Sequence, residues 1–191
     1  MIQKIILGTY TRRVSEGIYQ IELDTTTETL NNLQLVTKET SPTYLAKSKE
    51  NYLYSVTSHE GEGGVSSYDS QSKLLNIVTE EGAPPCYVAV DDNRQLVYGA
   101  NYHKGEVNTY AIQNDGSLKA VASIIHTEPT GPHKNQDHAH AHYSDLTPDQ
   151  RLVVCDLGTD RIYTYDVAKT GEIEEVAVYV AEPGTGPRHL V

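Results

Sequence analysis

The chain has 191 residues, of which 38% are hydrophobic, so it is long enough to bury a sizeable core. Its formal net charge of −11 argues against binding to nucleic acid or to an anionic membrane surface. It has no Phe or Trp but 14 Tyr, so tyrosine must supply the aromatic area of the core. Cys86 and Cys155 show no metal-type spacing, and no apolar stretch resembles a signal peptide or a membrane span. We therefore expect a reduced, cytoplasmic protein.

The predicted elements form a repeat of four short strands. An incomplete unit occupies residues 1–40, and three full units follow at 42–83, 85–128 and 140–182. Four short strands at a period of roughly 40–50 residues are typical of a β-propeller blade. The sequence therefore predicts an all-β propeller built from four-stranded antiparallel blades.

The repeat is incomplete at both ends. The unit at 1–40 has no first strand, and residues 187–191 begin a blade that is not finished. A closed ring needs at least about four blades and usually more. We expect a single partial propeller domain that forms the N-terminal part of a longer protein.

An insertion interrupts the repeat before the last full blade. The interval from Tyr110 to Tyr165 exceeds that from Tyr68 to Tyr110 by about a dozen residues, and the excess falls at 129–139. Insertions in repeat proteins map to loops on one face, which is often the binding face. We therefore expect functional residues in or beside this loop.

Histidine is concentrated at this insertion. His138, His140 and His142 alternate along the chain, so on an extended strand they would point to one face. Three imidazoles on one face could bind zinc, or could supply a general base and an anion site. A polar loop that happens to be rich in histidine is the third interpretation, and the residues alone leave all three open.

Arg188 and His189 stand at the start of a blade. Residues just before the first strand of a propeller blade ring one mouth of the central channel, so we expect this pair beside the segment from His140 to His142. Arginine is the preferred partner of a carboxylate or a phosphate. The alternative is that Arg188 pairs with a neighbouring carboxylate of the protein.

Asn101 and Tyr102 lie in a loop between the second and third strands of a blade. Such loops can open onto the same channel mouth, where Tyr102 could stack on a sugar-like ligand. A tight turn set by Gly105 is an equally good interpretation of this loop.

Three groups of motifs resemble one known family. The segments that carry the resemblance are Gly8–Thr11 (GTYT) with Gly17–Tyr19 (GIY), Ala100–Tyr102 with Gly105, and the ordered series Asp137, His140, His142, Leu146–Asp149 (LTPD), Asp156–Ile162 (DLGTDRI) and Gly186–Val191 (GPRHLV). Together they resemble the seven-bladed propeller lactonases, typified by the bacterial propeller form of 6-phosphogluconolactonase.

The resemblance implies a fold, an activity and a location. It implies seven blades in a protein about twice this length, of which this chain holds about half. It also implies a cytoplasmic enzyme that hydrolyses 6-phosphogluconolactone to 6-phosphogluconate in the pentose phosphate pathway. No cofactor or metal is required, and a phosphorylated sugar lactone is the expected partner. Nothing in the sequence indicates an oligomeric state.

The resemblance also assigns site residues. His140, Arg188 and His189 match the polar cluster at the family's channel mouth, and we interpret them as catalytic, with His140 or His189 as base and Arg188 as the oxyanion or phosphate partner. The predicted substrate-binding residues are Tyr102, His142 and Asn101.

Three alternatives remain at this point. Propeller lactonases of other families hold Ca²⁺, and Asp137, Asn101 and Asp156 keep such a site possible. The protein could act on another lactone, as a lactonase or a cycloisomerase. It could also be a non-enzymatic propeller that binds a partner on its top face, since a fold does not determine a function.

Overall fold

The computed structural model describes all 191 residues, and every regular element in it is a β-strand. Sheet 1 has three strands, and sheets 2, 3 and 4 have four strands each. Sheet 1 comprises β1 (Ile2–Leu7), β2 (Gly17–Asp24) and β3 (Thr29–Lys38); sheet 2 comprises β4 (Leu45–Lys47), β5 (Leu53–His59), β6 (Glu62–Tyr68) and β7 (Leu74–Glu80).

The two remaining sheets repeat this plan. Sheet 3 comprises β8 (Tyr87–Asp91), β9 (Leu96–Asn101), β10 (Glu106–Ile112) and β11 (Leu118–Ile125); sheet 4 comprises β12 (Ala141–Leu146), β13 (Leu152–Asp156), β14 (Arg161–Val167) and β15 (Ile173–Val180). All neighbouring strands are antiparallel and follow chain order, which confirms the predicted fold class. No helix has the length and apolarity needed to cross a membrane.

The first strands of the full sheets lie side by side. Strand β8 contacts both β4 and β12, so the three inner strands follow one another in chain order. Tyr44, Tyr87 and Tyr143 pack along this line with tilted rings, whose centroids are 4.0 and 4.8 Å apart. The tyrosine-rich composition thus supplies the aromatic packing where the blades meet.

Polar contacts also join consecutive sheets. Glu39 directly follows β3 and accepts hydrogen bonds from Thr57, Ser66 and Tyr68 of sheet 2. His126 directly follows β11 and reaches Tyr165 of sheet 4 in the same way, with 2.8 Å from Nε2 to the hydroxyl oxygen. Sheets 1 and 3 are therefore each tied to the next sheet by the residue that follows their last strand.

The turn between β8 and β9 is organised by Asp91. Its Oδ1 accepts the backbone N–H groups of Asn93 and Arg94, and its Oδ2 accepts from the Arg94 guanidinium at 2.8 Å and the Tyr98 hydroxyl at 2.9 Å. Burial alone raises the pKa of Asp91, but the hydrogen bonds from Arg94 and Tyr98 outweigh it and hold this pKa below its ordinary value of 3.8. The buried carboxylate is therefore charged at neutral pH.

The two terminal sheets expose apolar side chains. Ile2 and Leu33 of sheet 1 are 55% and 60% exposed, and Tyr179 and Val180 of sheet 4 are 64% and 61% exposed. Strands β1 and β15 each have one hydrogen-bonding edge without a neighbour. Unpaired strand edges with apolar residues promote association between chains.

We expect a polypeptide of these 191 residues alone to self-associate through the two terminal sheets. Light scattering against protein concentration measures this, and Val180→Lys should reduce the association because it places a charge on the exposed edge strand. A monomer that melts cooperatively at high concentration would contradict the expectation.

Replacing Asp91 by Asn should lower the free energy of unfolding at pH 7 by about 1.5–3 kcal/mol, because charge-assisted hydrogen bonds are lost. The pKa of Asp91 is lower in the folded state than in the unfolded state. Its stabilisation of the fold is therefore complete above pH 3.8 and is lost as the pH falls below that value. Urea denaturation at pH 7 and pH 3 should therefore show a smaller acid loss in the variant than in the wild type.

Asp92→Asn is the matched control for that change, because the Asp92 carboxylate accepts only a backbone N–H from Lys49. Its loss at pH 7 should stay below about 1 kcal/mol. Equal losses in the two variants would show that Asp91 has no special role in the turn.

Candidate active site

A pocket of about 520 Å³ lies where the loops of sheets 1, 2 and 3 meet the start of sheet 4. Its lining residues come from six separate segments of the chain. They are Tyr10, Arg12, Ser41, Thr43, Ser58, Ala83, Pro84, Pro85, Cys86, Tyr102, His103 and His142.

The repeat itself creates part of this pocket. Thr43, Cys86 and His142 each stand one residue before one of the three tyrosines Tyr44, Tyr87 and Tyr143, and all three line the pocket. Arg188 occupies the same position before His189. Because the blades are arranged around one channel, equivalent positions in sequence become neighbours at its mouth.

His142 and Arg188 form a direct contact. The Arg188 Nε donates to the His142 Nε2 at 3.1 Å, so the imidazole carries its proton on Nδ1, an atom that is buried without a partner. Burial first, and then the charges of Arg188 and His189, lower the pKa of His142 from 6.5 to about 4. His142 is therefore a neutral hydrogen-bond acceptor at neutral pH.

His189 lies beside this pair. Its ring is exposed, with its centroid 5.0 Å from that of His142 and 5.8 Å from that of Tyr143. The structure thus brings His142, Arg188 and His189 together. Their roles in catalysis and binding stay predictions.

His140 is placed differently. Its ring is 2% exposed and stacks on Tyr102 with a centroid distance of 4.0 Å. Its Nδ1 lies 2.8 Å from the Tyr102 carbonyl oxygen, and its Nε2 lies 2.9 Å from Oδ1 of Asp137. Both ring nitrogens therefore face oxygen atoms of the protein, and His140 does not line the pocket.

The three alternating histidines do not share one face. His138 and His140 lie together with ring centroids 4.0 Å apart, whereas His142 joins Arg188. Strand β12 begins only at Ala141, and its register shifts before Tyr143, so the alternation of a regular strand does not apply to residues 138–140. The condition under which the three rings would share one face, an extended strand over residues 138–142, is therefore not met.

Asn101 holds a turn. It is fully buried, its Nδ2 donates to the Ala83 carbonyl at 2.8 Å, and its Oδ1 accepts the N–H groups of His103 and Lys104. Asn101 itself does not line the pocket, whereas the adjacent Tyr102 does. Asn101 therefore positions the loop that carries Tyr102.

Asp156 holds the equivalent turn of the next blade. Its Oδ1 accepts the N–H groups of Gly158 and Thr159, and also that of His140 at 2.7 Å. Its Oδ2 lies 2.6 Å from Nδ1 of His126. Burial raises the pKa of Asp156, but hydrogen bonds from His126 and the backbone outweigh it and lower this pKa overall. The Asp156 carboxylate is therefore already occupied by contacts within the protein. The hypothesis of a Ca²⁺ site thereby loses one of its three proposed ligands.

Tyr10 and Arg12 are pocket residues that sequence reasoning missed. The Arg12 guanidinium lies 5.1 Å from the centre of the Tyr10 ring, and both belong to the loop after β1. Tyr10 lies in the loop after β1 as Tyr102 lies in the loop after β9, so aligning the two loops would have identified Tyr10.

Cys86 is not an activated thiol. Burial raises its pKa to about 11 despite the nearby charge of Arg188, so the thiolate is scarce at neutral pH. The pocket therefore offers guanidinium groups for an anion, imidazoles for proton transfer and tyrosine rings for a sugar face, and no thiolate nucleophile.

Comparisons with known proteins agree on one family. A protein of known structure from Lactobacillus plantarum is 47% identical, with a TM-score of 0.96 over 99% of this chain and 56% of its own. The 6-phosphogluconolactonase of Bacillus subtilis is 42% identical over 96% of this chain and 54% of its own. The periplasmic gluconolactonase of Pseudomonas aeruginosa is 25% identical, with a TM-score of 0.89 over 100% of this chain and 58% of its own.

The chain spans about half the length of the curated relatives that it matches, at 56% and 54% of two of them. The family model described as "Lactonase, 7-bladed beta-propeller" matches residues 4–191. With four antiparallel sheets in propeller order and a polar pocket at the mouth of their channel, this chain belongs to the seven-bladed β-propeller lactonase family.

Proposed function

We propose that the protein containing this chain hydrolyses a phosphorylated sugar lactone, 6-phosphogluconolactone, to 6-phosphogluconate in the pentose phosphate pathway. The observation that carries the proposal is the cluster of Arg188, His142 and His189 beside a pocket that Arg12 also lines. The 42% identity to the Bacillus subtilis 6-phosphogluconolactonase supports this choice of substrate.

The guanidinium groups would bind the charges of the substrate. Arg188 donates its Nε to His142, which leaves its two Nη groups for a phosphate or for the oxyanion that forms on the lactone carbonyl. Arg12 supplies a second guanidinium to the same pocket. Two cationic groups match the two negative centres of the reacting substrate.

His189 is the stronger candidate for the general base. It is exposed beside His142 and can accept a proton from water as the water attacks the carbonyl carbon. The tetrahedral intermediate then breaks its bond to the ring oxygen, which takes the proton back from His189. The products are the free carboxylic acid and the sugar hydroxyl, so the reaction consumes one water.

The geometry makes His140 the weaker candidate for this role. Its nitrogens face the Tyr102 carbonyl and the Asp137 carboxylate, so it would have to leave both before it could act on a water in the pocket. His142 would hold Arg188 in place as a neutral acceptor.

The proposal that the substrate carries a phosphate group goes beyond the proposal that it is a sugar lactone. The Pseudomonas aeruginosa relative is a periplasmic gluconolactonase, so an unphosphorylated lactone is the alternative substrate. Because a phosphorylated sugar is made and kept in the cytoplasm, our choice of substrate also proposes a cytoplasmic protein.

The test is hydrolysis of 6-phosphogluconolactone and of glucono-δ-lactone at controlled pH, corrected for spontaneous ring opening. It should use the whole protein that contains these residues. We expect kcat/KM to favour the phosphorylated lactone by at least about tenfold, the value of one charge-assisted contact. Equal rates would overturn the phosphorylated substrate, and no rate above the spontaneous one would overturn the lactonase assignment.

Arg188→Ala should lower kcat/KM about 10- to 150-fold, because it removes a charge-assisted contact worth about 1.5–3 kcal/mol. Arg151→Ala is the matched control, since Arg151 pairs with Asp149 and Asp166 outside the pocket. Wild-type rates in a folded Arg188→Ala variant would place the anion site elsewhere.

His189→Ala should lower kcat by about 10²–10⁴-fold with little change in KM or Tm, because a general base acts only in the transition state. His140→Ala should lower Tm, since it breaks a buried stack and two hydrogen bonds. If instead only His140→Ala lost kcat, and did so at an unchanged Tm, the role of general base would be assigned to His140.

A further inference from the structure

Two histidines and one carboxylate converge on the inserted loop, outside the residues that line the pocket. Oδ1 of Asp137 lies 3.0 Å from Nδ1 of His138 and 2.9 Å from Nε2 of His140. One carboxylate oxygen therefore faces two imidazole nitrogens, and the three atoms all lie within 4.8 Å of one another.

The far nitrogen of each ring is held by a backbone carbonyl. Nε2 of His138 lies 3.1 Å from the His103 carbonyl oxygen, and Nδ1 of His140 lies 2.8 Å from the Tyr102 carbonyl oxygen. A carbonyl oxygen only accepts, so both far nitrogens carry a hydrogen. Metal-binding histidines characteristically donate their other N–H to a carbonyl or carboxylate in this way, which orients the ring and sets its tautomer.

In the neutral state of each ring, this tautomer leaves a lone pair on the near nitrogen. The two near nitrogens then face the Asp137 oxygen at 2.9 and 3.0 Å, an arrangement that needs either a proton on each near nitrogen or one cation between the atoms. A metal ion supplies that charge for all three atoms at once. Zinc requires about 2.0–2.2 Å to nitrogen and carboxylate oxygen, and shifts of a few tenths of an ångström would give these distances.

We propose that Asp137, His138 and His140 form a divalent-metal site that takes zinc. Two imidazoles and one carboxylate are a ligand set that suits zinc better than the hard cations Ca²⁺ and Mg²⁺. The Asn135 carbonyl oxygen lies 3.1 Å from Nε2 of His140 and is the nearest candidate for a further protein ligand. Asp137 is 71% exposed at its side chain, so the site is open to solvent.

The site would act on the pocket through Tyr102. The His140 ring stacks on the Tyr102 ring at 4.0 Å, and Tyr102 lines the pocket. A bound ion would fasten the inserted loop to the loop that carries Tyr102 and His103, and would so fix one wall of the pocket. This is a positioning role, and it is independent of the lactone chemistry proposed above.

The test is titration of the metal-free protein with zinc chloride in competition with a chromophoric chelator. Wild type should bind one zinc per chain, and zinc should raise its Tm. His138→Ala should weaken binding by at least about tenfold and abolish the rise in Tm. His138 is half exposed, so its removal should leave the fold intact.

His59→Ala is the matched control, because His59 is an exposed histidine outside the cluster. It should bind zinc as the wild type does. Asp137→Asn provides a second ligand variant. Cobalt(II) provides a second probe, because the visible absorption of cobalt bound to nitrogen and oxygen ligands should be present in wild type and lost in both ligand variants. Zinc binding that is absent in wild type, or unchanged in His138→Ala, would overturn the proposal.

Discussion

The part of the molecule that carries the candidate site depends on the hydrogen bonds that the buried Asp156 carboxylate accepts. This carboxylate accepts hydrogen bonds from His126, which follows the last strand of sheet 3, and from the backbone N–H of His140, which directly follows the inserted loop. It also closes its own turn through Gly158 and Thr159. A buried charge is tolerated only when such partners satisfy it, so the two sheets and the loop must assemble together.

Repetition then turns one position of the blade into a functional surface. Thr43, Cys86, His142 and Arg188 have equivalent places in the repeat, and three of them line the pocket while the fourth bonds to His142. None of the four is among the buried residues. The blade scaffold therefore leaves this ring of positions free to carry chemistry, which is how one propeller fold accommodates many activities.

The charge distribution suits an anionic ligand. The chain carries a net charge of −11, yet Arg12 lines the pocket and Arg188 bonds to His142, which also lines it. Cationic groups in a concave site concentrate a positive potential there, which favours the binding of an anion. The neutral state of His142 contributes to this arrangement, because a protonated imidazole would repel Arg188.

The sequence by itself determined the all-β class and the four-stranded antiparallel blades, because strand alternation and turn residues are local properties that recur with the repeat. It also placed Arg188 and His189 near His142, since equivalent positions of a repeat must become neighbours. Only the tertiary structure determined where the His140 ring lies and what it contacts. Its ring nitrogens contact the carbonyl of Tyr102, 38 residues away, and the carboxylate of Asp137. Asp137 lies on an irregular loop, where side chains do not alternate as they do on a strand. The same holds for Arg12: the packing of sheet 1 beside sheet 2, rather than any local sequence pattern, brings its loop to the pocket.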